Sequence, residues 1–267
     1  MWLLTNHNQQ LHLGYTTIRR DANILKALVH KEIIKSFHKS VFGVFWHLIV
    51  PTLQLYIFFH VYGYINQQNN LKATISGLLL WFLFNNAVPA SIQLVRSSTN
   101  LMRQLKVKVY LLTASSVTMS LIYSILFLLT SAVFMIVNDV SIRSGAIAGV
   151  FVILLFCFFT FSVSVIISIG NLFFRDLGKL WSPMSFLIFL TAPILYPKNV
   201  FPGFLKYLSE LNPLTQFIES LRLCLNQDFS IAVTLVPWSV LITITLLFGI
   251  MAFVIVRVTN KSLIANL

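Results

Sequence analysis

Charge is what this sequence has least of. Asp, Glu, Lys and Arg make up 10% of its 267 residues, and only seven of those are acids. A soluble domain of this length carries roughly a quarter charged residues, enough polar surface to cover a globule in water. Here 57% of the residues are hydrophobic and the mean hydropathy is +0.84, so lipid has to cover the remainder. Cysteine is almost as scarce. Cys157 sits in the apolar stretch Phe151–Phe161 and Cys224 in a more polar one, and two such residues imply no disulfide framework. No G-x-x-x-x-G-K-[ST] phosphate loop occurs, so the chain is not expected to bind ATP in that way. The six histidines all fall within the first 60 residues, with no H-E-x-x-H and no accompanying acidic cluster, and no metal site is expected. The first 40 residues are polar, which argues against a cleavable signal peptide.

What remains is apolar and organised. Five uncharged runs are each long enough to span a bilayer in helical form: Val41–Tyr64, Ile75–Val95, Leu111–Val137, Ala146–Ile169 and Ile231–Val256. A sixth, Ser182–Tyr196, needs Leu180 and Trp181 or a re-entrant continuation to cross. Pro51 and Pro237 are predicted to kink the helices that hold them. None of the six contains Asp, Glu, Lys or Arg. Ion-driven carriers and acid–base membrane enzymes keep such groups at mid-membrane, so both classes are disfavoured. The expected fold is an all-α integral membrane protein with six transmembrane helices.

The net charge of +12 is distributed by side. With the N-terminus cytoplasmic, the inside segments 1–40, 96–110, 170–181 and 257–267 hold fourteen Lys and Arg, and the outside segments hold five: Lys72, Arg143, Lys198, Lys206 and Arg222. That excess obeys the positive-inside rule and places both termini in the cytoplasm. The basic residues therefore read as topology determinants, with no polar face to track nucleic acid. Within residues 1–40, Ile18, Ile24, Leu25, Leu28, Ile33 and Phe37 form a helical stripe opposite Arg19, Arg20, Lys26, Lys31, Lys35 and Lys39. This is the pattern of an amphipathic helix lying on membrane lipids. The span region covers 41–257, with the fifth span at about 180–196, and a cytoplasmic tail covers 258–267. Residues 197–230 are too broken for a span and too apolar for a free loop. They are expected to form a re-entrant hairpin in the outer leaflet, between the fifth and sixth spans.

Neutral polar residues lie within the spans: His47, Gln54 and His60 in the first, Asn85 and Asn86 in the second. They suit interhelical hydrogen bonds and the lining of a polar passage equally. Aromatics are plentiful, with 24 Phe, 8 Tyr and 5 Trp. Most belong to lipid-facing surface and interfacial belts. Sugar rings present apolar faces to aromatic rings, and Trp46, Tyr56, Tyr62 and Trp81 are the candidates for glycan contact.

Three stretches carry a family resemblance. The segment from Leu28 to Trp46, followed by His-Leu-Ile-Val-Pro51, resembles the start of the permease subunits of ABC-2 type polysaccharide exporters. Ser40, Gly43, Trp46 and Pro51 match that pattern. Ser36, Phe37, His38 and Phe42 stand where the family commonly has Arg, Tyr, a basic residue and Leu. Asn171-Leu-Phe-Phe-Arg-Asp176 is similar to the family's loop between spans four and five. Pro193-Ile-Leu-Tyr-Pro197 and Leu211-Asn-Pro-Leu-Thr215 are similar to its outer hairpin. Order and spacing agree from about Ile18 to Val256.

The resemblance implies a permease without its own ATPase site, in the bacterial inner membrane. It implies a homodimer working with two copies of a separate ATPase subunit that binds ATP and Mg. The cargo would be an undecaprenyl-type lipid-linked glycan (O-antigen, capsule or teichoic acid) passing between the protomers. On this reading Arg96, Arg103, Gln104, Lys106 and Lys108 couple to the ATPase. Lys31, Lys35 and Lys39 receive the substrate's pyrophosphate, and Tyr196, Pro197, Asn212 and Pro213 shape the outer gate. Two alternatives stay open: an ABC-2 permease for a small hydrophobic drug or lipid, and a membrane-embedded glycan-assembly factor.

Overall fold

A computed structural model describes residues 19–35, 45–66, 71–105, 107–141, 143–196, 202–226 and 231–266, and the side chains of residues 47, 61–66, 231–237 and 260–266 lie outside that description. The described residues form ten α-helices and no strand. They are α1 (19–35), α2 (Trp46–Asn66), α3 (Leu71–Ser97), α4 (Thr99–Leu105), α5 (Val109–Val137), α6 (Ala146–Phe173), α7 (Leu177–Thr191), α8 (Gly203–Leu211), α9 (Pro213–Asn226) and α10 (Ile231–Asn266). Four stretches among the described residues are long and apolar enough to cross a bilayer: α3, α5, α6 and Trp238–Thr259 within α10. Leu48–His60 in α2 and Leu177–Thr191 are apolar and shorter. The chain is a multi-pass membrane protein.

The helix boundaries refine the expected spans. The first was expected from Val41, but residues 36–44 are outside the description and α2 begins at Trp46, staying helical through Pro51. The fifth was expected over 180–196. Its helix starts earlier, at Leu177, takes in Lys179, and stops at Thr191. The stop has a local cause. Ala192 precedes Pro193, proline disfavours helical backbone in the residue before it, and Ala192 sits extended at φ −80 and ψ 137. Fifteen residues reach about 22 Å, short of a hydrocarbon core of about 30 Å. The chain then reverses through 192–196. At the other end of α7, the buried Asn171 side chain accepts from the Gly178 N–H at 2.9 Å, closing the corner between α6 and α7.

α3 is the central helix. Sixteen of its 27 residues are buried, on all sides, as expected for a helix enclosed by others. It packs against α2, α5, α6, α7 and α9. Around its first half lies the larger apolar cluster, in which Phe84 meets Phe159 in a stacked arrangement at 6.1 Å and Trp181 at 5.7 Å. Phe217 of α9 closes on Phe156 at 5.0 Å and Phe159 at 5.3 Å. A smaller cluster at the far end joins Leu28 of α1 to Val95, Met102, Leu112, Ile169 and Ala252.

α5 shows how a span is sorted when lipid surrounds it. Its buried side carries Ser116, Ser120, Ser124 and Ser131, and its exposed side Ile125, Leu129, Val133 and Ile136. Small residues let helices approach closely, while Ile125, Leu129, Val133 and Ile136 face outward and Phe127 is buried among the neighbouring helices. Each buried hydroxyl is satisfied within its own helix: Ser120 donates to Ser116 O at 3.0 Å, Ser124 to Ser120 O at 2.8 Å and Ser131 to Phe127 O at 2.8 Å.

Candidate functional site

Polar side chains gather at the two ends of α3, about 40 Å apart along a helix of 27 residues. At its C-terminal end, α1 is tied to the connection between α4 and α5. Lys108 Nζ donates to Asp21 Oδ2 at 2.9 Å and to the Tyr110 hydroxyl at 2.9 Å, and that hydroxyl donates to the same carboxylate oxygen at 2.6 Å. Arg20 donates to Leu105 O at 3.3 Å. Leu28 anchors the middle of α1 in the apolar cluster beneath.

The electrostatics of this clasp follow from its contacts. The Tyr110 hydroxyl, and after it the Lys108 ammonium, hold the Asp21 carboxyl below its ordinary value. The Tyr110 hydroxyl and Asp21 in turn raise Lys108 above its own. A depressed carboxylate stabilises the docked state above its ordinary pKa and loses that effect as pH falls through the lowered one. A raised lysine contributes fully below its ordinary pKa and loses the effect as pH rises through the raised one. Docking of α1 is therefore expected to be flat across neutral pH and to weaken both where acid carries the medium through the carboxylate range and where alkali carries it through the lysine range. Cysteine cross-linking between α1 and α5 as a function of pH checks this, and a loss near neutrality would refute it.

The residues expected to couple to an ATPase divide here. Arg96, Arg103 and Gln104 are exposed, and the buried Met102 fixes α4 beneath the last two. Lys108 is engaged in the clasp, and Lys106 lies outside the described residues. Asp21 and Tyr110, which hold the arrangement, were not singled out by sequence. The signal for Asp21 was its rarity: it and Glu32 are the two acids among the first 40 residues, which hold six Lys and Arg. Of the lysines expected to receive substrate, Lys31 and Lys35 are exposed on α1, Lys35 lies 3.6 Å from Glu32, and Lys39 is outside the description. Beside them an open groove of about 740 Å³ runs between α1 and α5, lined by Leu25, Lys26, Val29, His30, Ile33 and Thr118 among others.

The four aromatic candidates also separate. Trp46 and Tyr56 share one exposed stripe of α2 with Ile49, Leu53 and His60. The Tyr56 ring meets His60 edge-on at 4.4 Å and Phe134 of α5 at 6.4 Å. Trp81 is buried within the chain, 5.0 Å from Phe189 of α7, and is not brought to that stripe. The Tyr62 side chain is outside the description.

At the N-terminal end of α3, the reversal after α7 meets α9. Asn212 is the corner piece. Its Nδ2 donates to Ile188 O at 3.1 Å and to Thr191 Oγ1 at 2.9 Å, while its Oδ1 accepts the Leu214 N–H at 3.0 Å and caps α9. Pro213 follows at the first helical position, where the missing N–H has no partner to lose. The Tyr196 hydroxyl donates to Leu190 O. Pro197 lies outside the described residues. Arg222, counted by sequence only as an outside charge, is buried at 8% exposure and reaches into the reversal. Gly77 completes the contact: a Cβ there would lie 2.3 Å from Ile194 O and 2.8 Å from Ile194 Cα, so α3 touches the reversal backbone to backbone.

Residues 23–226, more than half of the chain, match the family described as ABC-2 type transporter. Two O-antigen export system permease proteins, both RfbA of Klebsiella pneumoniae, are 25% identical over 204 residues, covering 75% of this chain and 79% of each relative. A third RfbA, from Myxococcus xanthus, is 25% identical over 177 residues, 65% of this chain and 68% of that protein. Such a subunit works with a partner ATPase. The chain belongs to the ABC-2 type transporter family, as a membrane permease subunit.

Proposed function

We propose that this permease exports a lipid-linked polysaccharide of the O-antigen or capsule kind across the inner membrane, through a passage between two copies of the chain. The similarity to O-antigen export permeases supports the cargo class. The observation that carries the reading is the exposed stripe on α2, where Trp46, Tyr56 and His60 share a face with Ile49 and Leu53, without a carboxylate. Aromatic faces bind sugar rings by their apolar side and release them readily, which suits a chain that must slide.

In this arrangement α2, α3, α5, α6 and α10 are spans, α7 completed by the reversal 192–196 is the short fifth one, and α8 and α9 form the outer hairpin. Both termini are cytoplasmic. Lys31, Lys35 and Lys39 meet the pyrophosphate of the glycan lipid as point charges. Arg96, Arg103, Gln104 and Lys106 face the ATPase, with Lys108 holding the clasp behind them. ATP and Mg belong to that partner, and none of the assigned residues performs covalent chemistry.

The test is export in cells that depend on this permease. Changing Trp46 and Tyr56 together to Ala is expected to slow appearance of glycan at the outer face about tenfold, on the scale of one lost aromatic contact per residue. The ATPase should still co-purify. Normal glycan export with both residues replaced, or export of a small hydrophobic compound in place of glycan, would overturn the proposal.

A further inference from the structure

Arg222 carries five N–H donors in a planar fork, and every one is placed. Nε donates to Ala73 O at 3.4 Å. One terminal nitrogen donates to Tyr196 O at 3.2 Å and to Glu219 Oε1 at 2.8 Å. The other donates to Ile194 O at 3.1 Å and to Pro193 O. The acceptors come from three separate pieces of chain: the start of α3, the reversal after α7, and α9 itself. The carbonyls of the reversal have left α7, which ends at Thr191, and a buried carbonyl without a donor is costly. The guanidinium supplies the donors. Gly77, four residues beyond Ala73 on α3, removes the side chain that would otherwise hold the reversal away. One buried cation and one missing Cβ thus bind α3, the reversal and α9 into a unit. Leu214, Phe217, Ile218 and Leu221 of α9 are buried against it.

α8 has a different character. Phe204, Leu205, Tyr207 and Leu211 are exposed, and only Ser209 is buried. It begins at Gly203, in the left-handed region at φ +57 with open space around it, and ends at the Asn212 corner.

Resting on the reading of this hairpin as the outer gate, we propose that Arg222 is the gate's positioning residue. It fixes the reversal and α9 to α3 as an immobile frame, so that α8 alone moves when the gate opens, pivoting between Gly203 and Asn212. Lysine cannot replace it. An ammonium has three donors on a rotatable tip and cannot serve five acceptors arranged around a plane. Glu219 supplies the compensating charge at the exposed rim of the site.

The experiment uses the permease with its ATPase subunit in proteoliposomes, with Cys157 and Cys224 replaced by Ala. Nitroxide labels are placed singly by Tyr207→Cys on α8 and Leu223→Cys on α9. On addition of ATP, the α8 spectrum is expected to change and the α9 spectrum to stay fixed. Arg222→Lys should free the α9 label and raise the resting leak of glucose about tenfold, the scale of one lost charge-assisted hydrogen bond, with ATP hydrolysis unchanged. Glu219→Gln should shift both readouts in the same direction by less, and it serves if Arg222→Lys does not assemble. An α9 label that moves with ATP in the otherwise unaltered protein overturns the proposal. So do two variants that leave the α9 label and the leak unchanged. No glycan enters these measurements, so failure of the glycan reading would show separately, as absent export by a permease whose frame is intact.

Discussion

Gly77→Leu is expected to destabilise the folded permease severely. Even the first added atom, Cβ, would lie 2.3 Å from Ile194 O and within 3 Å of two further Ile194 backbone atoms. Overpacking a core with flexible neighbours costs about 1–3 kcal/mol. Here the neighbour is main chain, its Ile194 carbonyl oxygen already held by Arg222, and it cannot rotate away. Relieving the clash means separating α3 from the reversal, which strands the guanidinium and exposes the apolar cluster around Phe217. The cost should exceed about 3 kcal/mol, a large share of the 5–15 kcal/mol that holds a typical domain together. Thermal unfolding in detergent reads it directly, with Gly77→Ala as the graded companion. A Gly77→Leu protein that melts with the unsubstituted permease would mean that α3 and the reversal do not touch.

The second large effect concerns function more than stability. Lys108→Glu places like charges face to face at the clasp, and export is expected to fall more than about tenfold, a change in coupling of about 1.4 kcal/mol or more. The lost ion pair by itself is small. The Lys108 side chain is 42% exposed and that of Asp21 20%, so solvent screening limits the pair to about 1 kcal/mol or less. The damage comes from releasing α1 from α5, and with it the rigid connection between α4 and the bundle. Asp21→Lys combined with Lys108→Glu should recover most of the export, because the Tyr110 hydroxyl can donate to one partner and accept from the other in either order. ATP hydrolysis by the complex, measured beside export, separates lost coupling from lost assembly. Failure of the double variant to improve on Lys108→Glu would show that the clasp does not act through pairing.

Much of this architecture was legible because lipid imposes it. The uncharged runs, the basic stripe of α1 and the broken segment before α10 each follow from local composition. What escaped depends on contacts between distant residues. Arg222 and Pro193 are 29 residues apart, and Asp21 and Tyr110 are 89 apart. No periodicity links such pairs, so Arg222 looked like one more outside charge. Trp81 escaped for another reason. A span hydrophobic on all sides gives no cue to which aromatic faces a protein neighbour, and Trp81 is buried in the core cluster with Phe189 of α7 against it. The end of α7 was readable in Ala192-Pro193, yet the apolar run continued past it and set the expected boundary instead.

The serines of α5 have a mechanical consequence. Ser116, Ser120, Ser124 and Ser131 each give their hydroxyl to a carbonyl one turn back in their own helix. Toward α2, α3 and α6, the helices α5 packs against, they therefore present a narrow, chemically quiet surface. Contacts of that kind can slip by small amounts without any hydrogen bond being broken and remade, as shear between packed helices requires. Along its serine face α5 thus meets its neighbours without a hydrogen bond from these hydroxyls to another helix, while Phe127 interlocks with the core and Asp21 and Lys108 fasten its first turn.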